Sequence, residues 1–120
     1  MSRVSPTQRA KADLKKMGAE VAIVEKWNPH AKIRQDCFGF IDLIVLLGTN
    51  MIGVQVTSGS NHAARKAKIA AEPLARAWLM TGALIELWSY SKKKPRGERA
   101  RWECRKEEIT LRDLETTNAS

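Results

Sequence analysis

The sequence contains few residues of the kinds that build structural zinc sites or nucleophilic active sites. It has two cysteines, Cys37 and Cys104, and two histidines, His30 and His62. Their spacings match no paired-cysteine or paired-histidine zinc motif, so a structural zinc site is not expected. The sequence also lacks a glycine-rich phosphate loop, a nucleophile elbow and a His-Glu-x-x-His motif. These absences exclude the well-marked P-loop, serine-hydrolase and metalloprotease signatures.

Long apolar runs are absent too. No run approaches the roughly 20 apolar residues that a transmembrane helix needs. Residues 1–16 are polar and basic and lack the apolar core of a secretory signal. We therefore expect a cytoplasmic protein with no membrane segment. The 120 residues suit one domain, predicted at 1–115, with a frayed tail at 116–120.

Negative charge is scarce. The chain has 21 Lys and Arg residues against 13 Asp and Glu residues, which gives a net charge of +8. This balance favours a polyanionic partner, most often nucleic acid, although an acidic protein partner or a solvated surface also fits. DNA is the expected partner. The candidate nucleic-acid contacts are Arg34, Arg65, Lys66, Lys68, Lys92, Lys93, Lys94 and Arg96.

Residues 38–57 are the most informative stretch of the chain. Two apolar runs flank a Gly-Thr-Asn break at residues 48–50. The first run is almost continuously hydrophobic, which is typical of a buried central strand. The second run alternates more and is rich in valine and isoleucine, which suit a pleated sheet. The stretch therefore predicts a β-hairpin, with its turn at the break.

Each arm of this hairpin carries one polar residue, Asp42 in the first and Gln55 in the second. A carboxylate in a core strand is costly unless it is paired, hydrogen-bonded or bound to a metal. Asp42 either caps a backbone group at the start of the strand or meets Gln55 across the hairpin to hold a cation. A loop over residues 47–50 places the two residues opposite each other. A loop over residues 48–50 sends them to opposite faces instead, unless a bulge intervenes.

A second acidic candidate precedes the hairpin in the sequence Arg34-x-Asp36. The two residues could form a local ion pair of little energetic value. Alternatively, Asp36 is a second acidic group near the metal and Arg34 clamps a phosphate. The sequence leaves both interpretations open.

The hairpin resembles the core of the PD-(D/E)xK nuclease superfamily. It is most similar to the small phage, Holliday-junction-resolvase-like and VRR-NUC-like branches, in which a basic helix follows. Asp42 matches the first aspartate of the motif, with Ile41 where proline often stands. Gln55 matches the Glu-or-Gln position, and Thr57 falls where the family usually has lysine.

The resemblance implies a metal-dependent DNA endonuclease that hydrolyses phosphodiester bonds with Mg²⁺ or Mn²⁺, with branched DNA as one substrate class. It implies that Asp42, Gln55 and the backbone carbonyl of Val56 bind the metal, with Asp36 as a further candidate ligand. Lys66 or Lys68 of the following helix could replace the missing lysine. The candidate catalytic residues are Asp42, Gln55, Thr57 and Lys68. Resolvase-like proteins often act as dimers, so a homodimer is compatible with the resemblance.

The first helix departs from the family pattern. In the family it often carries a glutamate that completes the metal site. Here the nearby positions hold Thr7 and Gln8, and Asp13 is the only carboxylate of this helix. A non-catalytic DNA-binding module on the same fold is therefore the rival interpretation. A small basic adaptor protein is a third, supported by charge alone.

The rest of the chain predicts the order α-β-β-β-α-β-β and an α/β fold with a mixed sheet flanked by helices. The resemblance implies a restriction-endonuclease-like core. Residues 20–27 are predicted as one strand, and residues 62–80 as a helix that Pro73 kinks or divides. His62 is expected in a loop or cap. Residues 110–113 resemble a capping box. The four tryptophans are expected in the core, and the helical stripe is predicted to be Ala64, Ala67, Ala71, Leu74, Ala75 and Trp78.

Overall fold

A mixed five-stranded sheet forms the centre of the fold in a computed structural model that describes residues 4–118, with side chains through residue 115. The helices are α1 (Pro6–Lys16), α2 (His62–Ala71), α3 (Pro73–Met80) and α4 (Leu111–Asn118), with a short 3-10 helix at Gly59–Asn61. The strands are β1 (Glu20–Ile23), β2 (Lys26–Asn28), β3 (Ile33–Gln35), β4 (Leu43–Leu47), β5 (Asn50–Ser58), β6 (Leu84–Lys93) and β7 (Arg101–Ile109). The predicted α/β class, with a mixed sheet flanked by helices, is confirmed.

The sheet has the order β1-β4-β5-β6-β7, and only β5 and β6 run parallel. Parallel neighbours need a crossover, which α2 and α3 provide. Side chains alternate between the two faces of each strand. On one face, Val54 and Val56 pack with Leu14 of α1. On the other face, Leu87 packs with Ile69 of α2 and with residues of α3 and α4.

The predicted strand at residues 20–27 is divided into two strands in different sheets. β1 pairs with β4 in the main sheet, whereas β2 pairs only with β3 in a separate two-stranded hairpin. The backbone N–H groups of Val24 and Glu25 donate to the carbonyl of Asp42, at 2.9 and 3.3 Å. The chain therefore leaves the main sheet after Ile23. Residues 30–37 are polar and basic and nevertheless provide a strand, β3.

The predicted helix at residues 62–80 is two helices, because Pro73 begins the second. The side chain of Glu72 accepts a hydrogen bond from the backbone N–H of Leu74 at 3.3 Å and caps α3. The predicted apolar stripe is wrong for α2, where the buried residues are His62, Ile69 and Ala70. Alanines have little apolar surface to bury, so the single isoleucine determines which face of α2 packs on the sheet.

The tryptophans divide evenly between core and surface. Trp78 and Trp88 are buried, as predicted, whereas Trp27 and Trp102 are 57% and 46% exposed. The prediction of four core tryptophans is therefore wrong for two of them. Trp102 lies on an edge strand, where the guanidinium of Arg9 stacks over its ring at 4.4 Å. Such a pair stabilises an exposed ring without burying it.

The C-terminal helix begins as the sequence predicts. The carboxylate of Asp113 accepts hydrogen bonds from the backbone N–H and the hydroxyl of Thr110, at 2.8 and 3.1 Å. α4 includes residues 116–118 of the expected tail, while residues 119–120 lie outside the described part of the chain. No helix within the described residues is long and apolar enough to span a membrane.

Candidate metal centre

The β4–β5 hairpin pairs in the register that places Asp42 opposite Gln55. Leu47 pairs with Asn50 and Leu43 pairs with Val54, as a loop over residues 47–50 requires. Beyond the Leu43–Val54 pair, the same register places Asp42 beside Gln55. Gln55 Nε2 donates to Asp42 Oδ2 at 3.0 Å. Of the two registers that the sequence left open, the structure therefore has the one that brings Asp42 and Gln55 together.

Asp42 is almost completely buried, with 3% of its surface exposed. Its Oδ2 atom also accepts a 2.7 Å hydrogen bond from the backbone N–H of Val56. The interpretation of Asp42 as a backbone cap is therefore part of the observed structure. One cap bond does not account for the other acidic groups that converge on this carboxylate.

Three carboxylates meet at the head of the hairpin. Oxygen atoms of Glu25, Asp36 and Asp42 all lie within 4.8 Å of one another. Glu25 follows the end of β1 and Asp36 follows the end of β3. The sequence interpretation included Asp36 and missed Glu25. The only signal for Glu25 was a single carboxylate directly after the apolar run at residues 21–24.

Gln55 links this acidic cluster and leaves one atom without a partner. Its Nε2 atom donates to Asp36 Oδ2 at 3.2 Å as well as to Asp42. Its carbonyl oxygen, Oε1, is buried and is the sole unpaired buried side-chain nitrogen or oxygen among the described residues. Gln55 itself is 2% exposed. A buried acceptor without a donor is costly, and it becomes favourable when it binds a cation.

Burial and like charge disfavour the ionised form of Asp42. Several causes together raise its pKa to about 9; burial is the largest, and the hydrogen bond and negative charge of Asp36 act in the same direction. The N–H of Val56 acts in the opposite direction, and Glu25 adds a weaker repulsion. Without a cation, Asp42 therefore holds a proton at neutral pH. A divalent cation would displace that proton, because its charge outweighs the repulsion among the carboxylates.

Two cations lie at the edge of the acidic cluster. Lys68 Nζ is 3.6 Å from Asp36 Oδ2, and Arg34 Nη1 is 3.2 Å from Glu25 Oε1. The ion pair between Arg34 and Asp36, one of the two interpretations that the sequence left open, is therefore replaced by pairs with other partners. The cluster opens into a cavity of about 210 Å³, which has room for a cation with several water molecules. The cavity is lined by Pro6, Thr7, Glu25, Arg34, Asp36, Asp42, Gln55, Val56, Arg65 and Lys68.

Some predicted site residues lie elsewhere. Thr57 is buried two residues after Gln55, so it shares the side of the sheet, but it does not line the cavity. Lys92 and Lys93 lie at the end of β6, and Lys94 and Arg96 in the loop that follows, all four exposed. None of these four cations lines the cavity.

The first helix contributes Thr7 rather than a carboxylate. Thr7 is buried and lines the cavity near the start of α1. Asp13 is outside the site, since its carboxylate accepts a 2.7 Å hydrogen bond from the hydroxyl of Tyr90. The third carboxylate of the acidic cluster comes from Glu25, which lies outside α1.

A second polar cluster lies farther along the same side of the sheet. His62 Nδ1 is hydrogen-bonded to Ser89 Oγ, and His62 Nε2 lies 2.8 Å from Glu107 Oε1. Lys66 Nζ pairs with Glu107 at 2.7 Å and with Asp113 at 3.6 Å. His62 is the C-cap residue of the 3-10 helix, as one of the two expected roles requires, and it is also buried, which was not expected. Lys66 points to this cluster, which leaves Lys68 as the lysine beside the acidic cavity.

Comparisons with known proteins add no relative. A scan against protein-family models, a search of curated proteins and a search of solved structures each gave no match to this chain. What the site can do must therefore be argued from its own atoms. Three carboxylates and an amide oxygen form a set of hard oxygen donors, which suits Mg²⁺, Mn²⁺ or Ca²⁺ better than a softer metal.

Proposed function

We propose that the chain is a divalent-cation-dependent DNA endonuclease with a restriction-endonuclease-like core. The observation that carries the proposal is the group of three carboxylates within 4.8 Å of one another, two of which accept hydrogen bonds from Nε2 of buried Gln55 while its Oε1 atom has no partner. Acidic groups alone are common on proteins. A buried oxygen without a donor, beside carboxylates that repel one another, is the arrangement that a cation relieves.

The residues that would hold the cation are Asp42, Asp36 and Glu25 through their carboxylates. Gln55 would join them through Oε1 once its amide turns so that this atom replaces Nε2 beside Asp36 and Asp42. The carbonyl of Val56 is a further ligand in the resembled family and is proposed here on that basis. When bound, Mg²⁺ or Mn²⁺ polarises a phosphodiester and lowers the pKa of a water molecule. The donors fit the hard cations that nucleases use.

The cations at the cavity would bind the DNA. Arg34, Arg65 and Lys68 all line it, so they can donate to phosphate oxygens while the carboxylates hold the metal. Lys68 replaces the lysine that is absent at Thr57. Its ammonium lies beside Asp36, where it would orient a water molecule and offset the negative charge that develops on the phosphate.

The rival proposal is a DNA-binding module that does not cut. It is favoured by one observation, which is that Thr57 provides no ammonium group at the position where the family has lysine. Asp42 would then stay protonated and serve as a buried hydrogen-bonding residue. The basic surface would bind phosphates with no help from a metal. A homodimer remains a prediction in both cases.

Cleavage separates the two proposals. Linear, branched and single-stranded DNA would be incubated with the protein in Mg²⁺, in Mn²⁺ and in EDTA. The nuclease proposal predicts cleavage that needs the cation and that falls at least about a hundredfold in Asp42→Asn, because a ligand is lost. The same change should leave DNA binding in EDTA intact, because Asp42 holds a proton without a cation and the substitution by asparagine then changes no charge.

The matched control is Glu20→Gln, which neutralises an exposed carboxylate of β1 outside the cavity. It should cut at the wild-type rate. DNA binding without cation-dependent cleavage of any substrate would overturn the nuclease proposal and favour the rival.

A further inference from the structure

The β2–β3 hairpin rises directly from the acidic cluster. Glu25 immediately precedes β2 and Asp36 immediately follows β3, so both ends of the hairpin supply a carboxylate to the candidate metal centre. The hairpin forms its own two-stranded sheet, separate from the main one. Its strand residues are exposed, apart from the half-buried Asn28. Any DNA that reached the metal centre would meet this element.

The hairpin is held in a defined shape. The side chain of Asn28 accepts hydrogen bonds from the backbone N–H groups of His30 and Ala31, at 3.0 and 3.1 Å, which fixes the turn. Arg34 on β3 is tied to Glu25 by a 3.2 Å ion pair. The hairpin therefore presents a fixed face beside the cavity.

Trp27 stands on that face without a partner. It pairs with Arg34 across the two strands, so both side chains lie on the same side of the hairpin, and Arg34 lines the cavity. Trp27 is 57% exposed. The rings of Trp78, Trp88 and Trp102 each contact another ring or a cation, whereas Trp27 has no such contact among the described side chains.

The charge of the hairpin identifies the kind of partner. Residues 26–35 include three cations, Lys26, Lys32 and Arg34, and no carboxylate. An exposed indole among cations fits an unpaired nucleobase, which stacks on the ring while its phosphates meet the positive charges. Bases inside a duplex are already stacked on each other and cannot offer a face in this way. An acidic peptide would use the cations but would leave the ring without a matching surface.

We propose that Trp27 is a base-stacking residue and that the substrate carries an unpaired nucleotide beside the scissile phosphate. Single-stranded DNA and branched DNA with an open junction belong to this class, whereas a continuous duplex does not. The proposal rests on the proposed nuclease function for its link to cleavage. The stacking itself is a binding property that can be measured without any cleavage.

The test is DNA binding by fluorescence anisotropy in EDTA, with a labelled single strand and a duplex of the same length. Trp27→Leu keeps an apolar side chain and removes the aromatic face, while Trp27→Phe keeps a smaller face. Leucine should weaken single-strand binding about tenfold or more and duplex binding less than twofold, and phenylalanine should weaken single-strand binding about threefold or less. Trp102→Leu, at the other exposed tryptophan, should leave the ratio of the two affinities unchanged.

Two results would overturn the proposal. One is an equal loss of affinity for both DNA forms in Trp27→Leu, which would mean that the tryptophan only supports the hairpin. The other is unchanged affinity for both DNA forms in Trp27→Leu. Binding of an acidic peptide that requires Trp27, together with unchanged DNA affinity, would also overturn the proposal. Thermal unfolding of both Trp27 variants checks that they fold. If one variant is unstable, the ratio of single-strand to duplex affinity can still be compared between wild type and the other variant.

Cleavage distinguishes the failure of this proposal from the failure of the nuclease function. Selective single-strand binding through Trp27, with no cleavage in Mg²⁺ or Mn²⁺, would overturn the nuclease and support the stacking. Cation-dependent cleavage that is identical for wild type and Trp27→Leu on single-stranded and duplex DNA would overturn the stacking and support the nuclease.

Discussion

Two polar clusters lie on the same side of the sheet, and they differ in how far their buried polar groups are paired. In the paired cluster of His62, Lys66, Ser89 and Glu107, each polar side chain has a partner. In the acidic cluster of Glu25, Asp36, Asp42 and Gln55, three carboxylates adjoin one another and an amide oxygen has no partner. One helix serves both clusters, because Lys66 reaches the first and Lys68 the second.

The pKa values of the two clusters shift in opposite directions. Hydrogen bonds from Lys66 and His62 lower the pKa of Glu107 from its usual 4.5, so ionisation of Glu107 stabilises the fold. Burial and Asp36 raise the pKa of Asp42 to about 9, so ionisation of Asp42 opposes the fold. The interactions of the first cluster therefore stabilise the folded chain. The second is unfavourable as it stands, which is common where a ligand is to be bound.

The largest expected difference is between the two lysines. Lys68→Ala should lower the cleavage rate at saturating DNA by about a hundredfold, because it removes the ammonium beside Asp36. Lys66→Ala should leave that rate within about twofold and destabilise the fold by about 1 kcal/mol, a small value because the pair is partly exposed. Single-turnover cleavage and thermal unfolding measure the two effects. Equal loss of rate in both variants would remove the distinction between the clusters.

Neutralising one carboxylate in each cluster should change stability in opposite directions. Without metal at pH 8, Asp42→Asn should raise the free energy of unfolding by about 1–3 kcal/mol, because folding of the wild type must return to Asp42 a proton that the unfolded chain has released. Glu107→Gln should lower it by about 1–2 kcal/mol, since hydrogen bonds to charged partners weaken. Denaturant unfolding measures both. A loss of stability in Asp42→Asn would show that its carboxylate is already compensated.

The same contrast predicts two pH dependences of opposite sign. The unfolded chain ionises Asp42 near pH 3.8 while the folded chain keeps the proton to about pH 9, so this residue's contribution to stability falls as pH rises between those values. Glu107 has a lowered folded pKa, so its contribution is present above about pH 4.5 and is lost as pH falls below it. Unfolding across pH for wild type and each neutral variant measures both. In a plot of unfolding free energy against pH, Asp42→Asn should reduce the slope between about pH 3.8 and 9, and Glu107→Gln should reduce it below about pH 4.5.

A smaller effect is expected from adding charge to the acidic cluster. Gln55→Glu replaces the amide oxygen with a charged ligand, so it should tighten Mn²⁺ binding by about tenfold and destabilise the metal-free protein. Calorimetric titration with Mn²⁺ and unfolding in EDTA measure the two changes. Weaker Mn²⁺ binding in Gln55→Glu would mean that Oε1 does not face the cation.

The smallest effect concerns the basic surfaces. DNA binding should weaken steeply with salt, because bound cations release counterions from phosphate. Lys92→Ala should reduce the slope of log affinity against log salt by about one, and Lys66→Ala should not, because Glu107 already occupies that ammonium. A salt dependence that is flat in the wild type would remove nucleic acid as the partner.

The sequence predicted the central hairpin, because two apolar runs flank a turn signal, and this inference needs only local sequence. It left the register open. Strand side chains alternate with a period of two, so a loop over residues 47–50 joins Asp42 to Gln55 and a loop over residues 48–50 separates them, and the structure has the first. The split at Pro73 follows equally from the missing N–H of proline.

Features that depend on contacts between distant elements were missed. Glu25 enters the site only because the carbonyl of Asp42 accepts the N–H groups of Val24 and Glu25 and draws the chain out of β1. The burial of His62 depends on Ser89 and Glu107, which follow it by 27 and 45 positions. No local pattern encodes such pairings. The exposure of Trp27 likewise depends on β2 leaving the main sheet.

The most direct test of the acidic cluster as a metal centre is calorimetric titration of Mn²⁺ into the metal-free protein at pH 8, alongside Asp42→Asn and Glu20→Gln. The account predicts saturable binding to wild type and Glu20→Gln, release of about one proton per bound ion, and no measurable binding to Asp42→Asn. At Mn²⁺ about a hundredfold above its dissociation constant, binding should add about 2.7 kcal/mol to the stability of the wild type. Absence of binding in the wild type, or equal binding in Asp42→Asn, would contradict the account.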